Sequence, residues 1–434
     1  MKAAILAGGK GTRLGKLAEN VPKPMVMIGG KPLLEHQIGL LTRYGFDDII
    51  LCTGHLSNII EEYLGDGRRF KARIRYSAED KPLGSAGCLK PVEKILGGQF
   101  LLLNGDVMLD MDLGRLKRFH GKKKADATLT CHPNDHPHDS DLIEADACGR
   151  IIAFHPKPRE EGGYYRNLVN AGAQILSKSV FDYIEEGAKA ELWSEVLPKM
   201  LKDGCRLYAY NTPEYLKDMG TPHRLEEVER DYASGLIASH NLDRRRPAVF
   251  LDRDGVINRE KHLLHRVEDF ELLPGSSQAI KAINRSKYLC IVVTNQPVVA
   301  RGLCSIEDVE KIHNKMETLL GRDGAKLDAI YYCPHHPDAG YPGENPKFKV
   351  KCKCRKPGTG MIDEAVKDYN IDLKGSYVIG DSTIDVQLGK NAGVKTIGVA
   401  TGYACSDAKY SVKPDRIYKD LKEAVEAILG GKAA

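Results

Sequence analysis

Two short apolar runs, Ala3–Leu6 and Ala248–Leu251, each break directly into a loop made for close approach, glycine-rich after the first and aspartate-bearing after the second. After each run the chain alternates short apolar strands with segments of helical period, the sequence form of a mainly parallel α/β sheet. The first series continues through a helix across Leu34, Ile38 and Leu41 that stops at Gly45, then strands at Asp48–Cys52, Arg73–Tyr76 and Phe100–Asn104. The second continues through strands at Leu289–Thr294, Ala329–Tyr332, Tyr377–Gly380 and Lys395–Val399. The expectation is two α/β domains, each a mainly parallel, doubly wound sheet, over residues 1–233 and 246–430, joined by a linker at 234–245. The Ser-, Gly-, His- and Arg-bearing stretch Tyr232–Pro247 reads as a helix end and that linker. A chain of 434 residues with 42% hydrophobic content has enough apolar mass for two cores.

The formal charge of +5 is small for this length and suits anionic small molecules better than nucleic acid. The basic runs Lys122–Lys124 and Arg244–Arg246 read as a solvated face or a linker. No stretch approaches the ~20 apolar residues that span a bilayer, and Lys2–Ala7 runs into a glycine loop rather than forming a signal peptide. Eleven cysteines, scattered apart from one cluster, argue against a disulfide framework and for the reducing cytoplasm. Oligomeric state is left open.

In the second series, Asp252 and Asp254 follow the strand Ala248–Leu251. In open α/β sheets ligands bind beyond the carboxyl ends of strands, so both carboxylates should project into a site. One of two such aspartates can attack phosphorus while the other protonates the leaving oxygen and later activates water. A carboxylate is repelled by a phosphate dianion, so a bridging cation is required, and Asp381 after Tyr377–Gly380 supplies a further acidic ligand. Thr294, at the end of its strand, can donate to phosphoryl oxygens, and Lys356 can offset the charge of nucleophile and phosphate. Separately, Cys333-x-His335 and Cys352-x-Cys354 bracket a polar Gly-, Pro- and Lys-rich loop, 333–354, and offer one imidazole and three thiolates to a closed, structural Zn²⁺ site. His336 is an alternative to His335. Such a site would also aim the adjoining Arg355 and Lys356.

The ordered set Asp-x-Asp-Gly, Thr, Lys and Gly-Asp-x-x-x-Asp resembles the haloacid dehalogenase superfamily of aspartyl phosphatases, over roughly residues 246–429. Within it, the zinc cluster is similar to the branch that includes heptose-bisphosphate and histidinol phosphatases. The resemblance implies Asp252 as nucleophile, Asp254 as acid/base, Mg²⁺ held by Asp252, the Asp254 carbonyl and Asp381, and zinc on His335 rather than His336. It also implies that Asn295, Arg301 and Arg355 grip substrate. Pro297-Val298 departs from the Ser-Gly type of turn usual there.

In the first series, Leu6-Ala-Gly-Gly-Lys-Gly-Thr-Arg-Leu14 can form an anion nest, although it lacks the end of a P-loop and the spacing of a dinucleotide fingerprint. Lys23 is mounted between two prolines, and Asp106 and Asp218 stand where ligands for Mg²⁺ would sit. Together these resemble the sugar-1-phosphate nucleotidyltransferases over residues 1–233. The family implies that Leu6, Ala7, Gly8 and Gly9 meet the base, and that Gly11, Thr12, Arg13 and Lys23 meet the triphosphate. Gly84 and Gly87 would contact base and ribose, Asn170 and Gly172 the sugar, and Asp106 and Asp218 the metal; Arg13 and Lys23 would assist catalysis. Gly15-Lys-Leu and Trp193-Ser194 stand where relatives often carry Pro-x-Thr and Glu-Lys. The His- and Asp-dense segment Cys131–Asp139 reads as a mobile substrate-side loop rather than a metal site.

The two activities form consecutive steps if the phosphatase removes the distal phosphate of a sugar bisphosphate and spares the anomeric one. The resemblance implies D-glycero-D-manno-heptose 1,7-bisphosphate, and a transferase that joins heptose 1-phosphate to a nucleoside triphosphate. GTP is favoured, giving GDP-heptose for a surface polysaccharide. The alternatives are another sugar with UTP, dTTP, CTP or ATP, and a histidinol phosphatase fused to an unrelated transferase.

Overall fold

The computed structural model describes residues 1–9, 21–159 and 162–432. The chain forms two compact units. One comprises Met1–His132, Ile143–Pro156 and Val169–Asp243; the other comprises Pro133–Leu142, Lys157–Leu168 and Arg244–Ala434.

The first unit is built on a mixed sheet. The strand Lys2–Ala7, apolar from Ala3 onward, lies at its centre, flanked in parallel by Asp48–Thr53 and Gln99–Asn104, with Arg73–Ala78 outside. The three inner strands are largely apolar runs because both faces are covered, whereas Arg73–Ala78, RIRYSA, is mostly half-buried or exposed. The long strand Val169–Ser177 extends the sheet antiparallel to Gln99–Asn104, and Ala127–His132 and Leu207–Asn211 follow it. A separate antiparallel pair, Val107–Asp110 with Tyr215–Asp218, brings Asp218 opposite Val107.

The second unit carries a six-stranded sheet that is parallel throughout, in the spatial order Ala329–Cys333, Leu289–Asn295, Ala248–Leu251, Tyr377–Gly380, Lys395–Val399, Arg416–Tyr418. Its three middle strands therefore end side by side. The helix Ile306–Arg322 starts from a capping box at Ser305 and Asp308 and buries Val309, Ile312, Met316 and Leu320 on one face. Within this unit, Tyr165 N–H donates to Thr318 Oγ1 at 3.0 Å and Asn167 N–H to Glu317 at 3.3 Å, fixing Tyr165 and Asn167 on that helix.

Two expectations change. Within the stretch read as a helix end and linker, Leu236–Ser239 is a helical turn, Asn241 and Leu242 are buried, and Leu242 N–H donates to Glu214 at 2.9 Å. Arg246, read as part of a solvated or linker run, is buried, with its Nε directed to the Lys287 carbonyl and its backbone bridged to Ile371. The segment after Cys131 is tied down rather than loose: Asn134 donates to Ser140 at 2.9 Å and exchanges bonds with Asn167. Among the described residues, no helix is long and apolar enough to cross a membrane.

Candidate active sites

In the second unit, parallel register alone gathers the acidic groups. Asp252 leaves the central strand, Thr294 and Asn295 end one neighbour, and Asp381 follows the other. Lys356 arrives from the loop beyond the cysteine cluster and is almost wholly buried. Its Nζ lies 2.8 Å from Asp252 Oδ1 and 2.6 Å from Asp385 Oδ1, and donates to the Val293 carbonyl at 3.1 Å. Burial opposes the ammonium, but the two aspartates outweigh it and hold the lysine protonated above its usual range.

Asp252, Asp381 and Asp385 have oxygens within 4.8 Å of one another. Burial, and after it the charges of Asp252 and Asp385, push the Asp381 carboxyl up to about 8. Burial likewise raises Asp385 to about 6 despite Lys356. Carboxylates crowded this way are a donor set that a hard divalent cation relieves. The backbone leaves Asp381 little freedom: a Cβ on Gly255 or Gly402, both at positive φ, would fall 2.3 or 2.0 Å from its Oδ2.

Asp254 accepts from Arg253, Asn258 and Gln296. Thr294 is buried, and its hydroxyl accepts from Gln296 at 3.0 Å. Asn295 has both amide groups on the Lys356 backbone, accepting from N–H at 2.9 Å and donating to the carbonyl at 3.2 Å. It thus clamps Lys356 in this arrangement. Arg301 lies over the Tyr341 ring at 4.2 Å, and Arg355 donates to the His335 carbonyl at 3.0 Å. Asp385, which no role was read for, was signalled only by its place four residues after Asp381. Arg253, Gln296 and His313 had no signal.

Cys333, His335, Cys352 and Cys354 converge. The three sulfurs are 3.2–3.5 Å apart, and His335 Nδ1 is 3.4 Å from Cys354 Sγ and 3.6 Å from Cys333 Sγ. A tetrahedral ion with ~2.3 Å metal–sulfur bonds needs edges of about 3.8 Å, so the cluster is close to a ready cage. His336 turns elsewhere, its Nδ1 accepting from Asp338 N–H at 3.2 Å. All eleven cysteines are free thiols.

In the first unit, the ends of Lys2–Ala7 and Gln99–Asn104 open on a cleft of about 430 Å³. Leu6, Gly8, Gly9, Lys23, Gly84 and Asp106 line it, together with Glu79. Among the described residues, Ala7, Gly87, Asn170, Gly172 and Asp218 do not line it. Gly11, Thr12 and Arg13 lie outside the described residues. Gly84 and Gly87 have a packing reason of their own, since a Cβ on either would meet a backbone carbonyl of Ala188 or Ala190 at 2.5 Å. Gly172 sits on an irregularity of its strand, against Asn104, and its N–H faces Asn170 Oδ1 at 3.4 Å.

Lys23 Nζ lies 2.5 Å from Asp106 Oδ2 and 3.3 Å from Asp218 Oδ1, so a cation already stands between the two carboxylates. The antiparallel pairing of Val107 with Asp218 makes this possible across more than a hundred residues of sequence. Arg224, in the first turn of the helix Pro222–Ala233, pairs with Asp218 Oδ2 at 2.6 Å. That contact was not read from the sequence.

Residues 2–235 match the family described as Nucleotidyl transferase, and residues 353–424 the one described as HAD-hydrolase-like. The chain is 40% identical over 190 residues to the D-glycero-D-manno-heptose-1,7-bisphosphate 7-phosphatase of Thermosynechococcus vestitus, covering 42% of this chain and 95% of that protein. It is 33% identical over 242 residues to the mannose-1-phosphate guanylyltransferase of Mycobacterium tuberculosis, covering 55% of this chain and 67% of that one. It is 36% identical over 234 residues to the UTP–glucose-1-phosphate uridylyltransferase of Synechocystis, covering 51% of this chain and 60% of that protein. The two halves thus answer to two different enzyme families: the chain belongs to the nucleotidyl transferases through its first half and to the heptose-bisphosphate phosphatases through its second, one polypeptide carrying a transferase and a phosphatase.

Proposed function

We propose that the two domains catalyse consecutive steps on one sugar. The phosphatase domain, residues 246–430, removes the 7-phosphate of D-glycero-D-manno-heptose 1,7-bisphosphate. The transferase domain, residues 1–233, joins the resulting heptose 1-phosphate to GTP and releases pyrophosphate, giving GDP-heptose. The observation that carries this reading is the Asp252–Lys356–Asp385 bridge with Asp381 beside it, in a chain whose phosphatase half matches 7-phosphatases over nearly their whole length.

In this mechanism Asp252 Oδ attacks the distal phosphorus and forms an aspartyl-phosphate, while Asp254 gives its proton to the departing sugar oxygen. Asp254 then takes a proton from the water that hydrolyses the acyl phosphate. Thr294 donates to the phosphoryl oxygens, and Lys356, 2.8 Å from Asp252, aims its carboxylate. Asp252, the Asp254 carbonyl and Asp381 would hold Mg²⁺, which screens the repulsion between carboxylate and phosphate. Cys333, His335, Cys352 and Cys354 would hold a structural Zn²⁺ that keeps Arg355 and Lys356 in place. In the transferase, Asp106 and Asp218 would hold Mg²⁺, and Lys23, released from them, would meet the triphosphate with Arg13.

The sugar and the base are tested together by incubating the protein with heptose 1,7-bisphosphate and mixed nucleoside triphosphates and weighing the products. GDP-heptose is the expected species. A sugar nucleotide of another mass would name a different base, a result that the likeness to a uridylyltransferase makes worth measuring. Release of phosphate from histidinol phosphate, with none from the heptose, would replace the sugar altogether.

A further inference from the structure

Arg301 follows the buried turn Val298–Ala300 and meets Tyr341, in the loop 333–354. Its charge is answered by a ring rather than by an acid. The guanidinium lies over the Tyr341 ring at 4.2 Å, and Nη2 donates to the Tyr341 hydroxyl at 3.4 Å. Nε is buried and, among the described residues, has no hydrogen-bond partner. A buried donor left unmatched costs stability, and it points to a use beyond the fold's own bonding.

The backbone on either side of Arg301 is pinned to the same loop. Asn345 N–H donates to the Ala300 carbonyl at 3.0 Å. Gly302, at positive φ, comes so close to Gly343 that a Cβ there would fall 1.8 Å from the Gly343 carbonyl oxygen. Tyr341 is held in its turn. Its N–H and that of Gly340 donate to Glu344 at 3.1 and 3.2 Å, and Glu344 pairs with Lys349 at 3.1 Å. Lys349 also lies 5.0 Å from the centre of the Tyr341 ring, and His336 stands edge-on to that ring at 5.8 Å. Arg355 arrives from the far end of the loop, with Nη1 on the carbonyl of His335, the residue before His336, at 3.0 Å. Of these three cations only Lys349 has a carboxylate within ion-pair distance among the described residues. The two arginines carry charge that no acid balances, and Arg355 directly precedes the active-site Lys356. Planar guanidinium groups left open in this way suit a phosphate.

We propose that Tyr341 is a positioning residue that fixes Arg301 for a second phosphate on the substrate, and thereby makes the phosphatase prefer a bisphosphate to a monophosphate. Tyr341 has this role only if Arg301 and Arg355 grip the substrate and the substrate is a sugar bisphosphate, as in the function proposed above. The ring acts by restricting the guanidinium, since an arginine ordered before binding loses less side-chain freedom when it meets an anion. The second phosphate does not react, so it is held alike in the ground state and the transition state. Its contribution therefore belongs in KM and not in kcat.

The test measures kcat and KM of the full chain, with Mg²⁺ and Zn²⁺ supplied, on heptose 1,7-bisphosphate and on heptose 7-phosphate. The unaltered protein should have the lower KM for the bisphosphate. Tyr341→Leu and Tyr341→Gln both remove the ring, and each should raise the bisphosphate KM about tenfold, the scale of a desolvated cation–π contact. The kcat on the bisphosphate and the KM for the monophosphate should each stay within about twofold. Tyr341→Phe keeps the ring face and loses only the long hydroxyl contact, and should hold the bisphosphate KM within about threefold of the unaltered protein. Arg301→Ala should itself raise the bisphosphate KM, and adding Tyr341→Leu to it should change little more, because the two residues act as one unit. An unchanged bisphosphate KM without the ring, equal losses on both substrates, or a full further loss on top of Arg301→Ala would overturn the proposal. The unaltered protein separates the two levels. If it treats both substrates alike, no second phosphate is read and the bisphosphate reading fails with the proposal; if its preference survives loss of the ring, only the positioning role fails.

Discussion

Each half of the protein places a lysine between two aspartates, and the two lysines are not held alike. Lys356 sits between Asp252 and Asp385, whose side chains are 13% and 1% exposed, and a backbone carbonyl takes a further proton. Lys23 sits between Asp106 and Asp218, which are 33% and 32% exposed, and Arg224 already shares Asp218. The buried bridge is a fixed part of its site, because removing either charge strands the other in a low dielectric. The bridge at Lys23, buried at the lysine but about a third exposed at both carboxylates, can open more cheaply, since water takes up the carboxylates when the lysine leaves. On the function proposed above, one lysine stays and the other gives way to a metal and a triphosphate.

The strongest way to break this comparison is to remove the groups on which each reaction centres. Asp252→Asn should reduce phosphate release by a factor on the order of 10⁴ and leave pyrophosphate release intact; Asp106→Asn should do the reverse. Loss of both activities from either substitution would mean that the domains do not work independently. Substituting the lysines sharpens the contrast. Lys356→Ala leaves Asp252 and Asp385 buried and unpaired, and should cost about 3–5 kcal/mol in denaturant unfolding. Lys23→Ala should cost about 1 kcal/mol or less, while still lowering transferase turnover. Equal losses of stability would show that the two bridges are the same device.

How far these sites were legible follows from how their residues meet. Asp252, Thr294 and Asp381 could be read because a parallel sheet aligns the ends of its strands, so that three short motifs imply one place. The cysteine cluster could be read because its ligands come in two pairs of equal spacing. Lys356 was legible as a charge but not as a bridge, since nothing local shows that Asp385 turns inward behind Gly380. Arg253 looks like a polar spacer in an Asp-x-Asp motif, and its burial depends on His313, sixty residues away on another element. In the first half, the parallel strands were plain in the sequence, but the antiparallel additions at Ala127–His132 and Val169–Ser177 were not. Nor did the sequence show that Pro133–Leu142 and Lys157–Leu168 cluster with the second unit, because continuity along the chain argues the other way.

Metal removal acts on one half only if the cage at Cys333, His335, Cys352 and Cys354 serves Lys356. A zinc-selective chelator, with Mg²⁺ in excess, should release the metal and lower phosphatase activity roughly tenfold while transferase activity persists. Metal content measured alongside both rates checks this; chelation that left phosphate release unchanged would detach the cage from the lysine.

The smallest effect expected is a dependence of stability on pH, and it singles out the phosphatase site. Burial and the neighbouring aspartates raise the Asp381 carboxyl from the ordinary carboxylate range to about 8. The folded protein then binds a proton that the unfolded chain has already lost above pH ~4, so this contribution is full below that pH and disappears as pH rises through about 8. Between pH 7 and 8 the loss should be about 1 kcal/mol without divalent cation, seen as a fall of about 2–4 °C in Tm. Saturating Mg²⁺ should flatten the slope, because an ion at Asp252 and Asp381 replaces the proton as the neutralising charge. Asp381→Asn should flatten it as well, with or without Mg²⁺. If the slope survives that substitution, the titrating group lies elsewhere, and the crowding of carboxylates around Asp381 is relieved by something other than a proton or a metal.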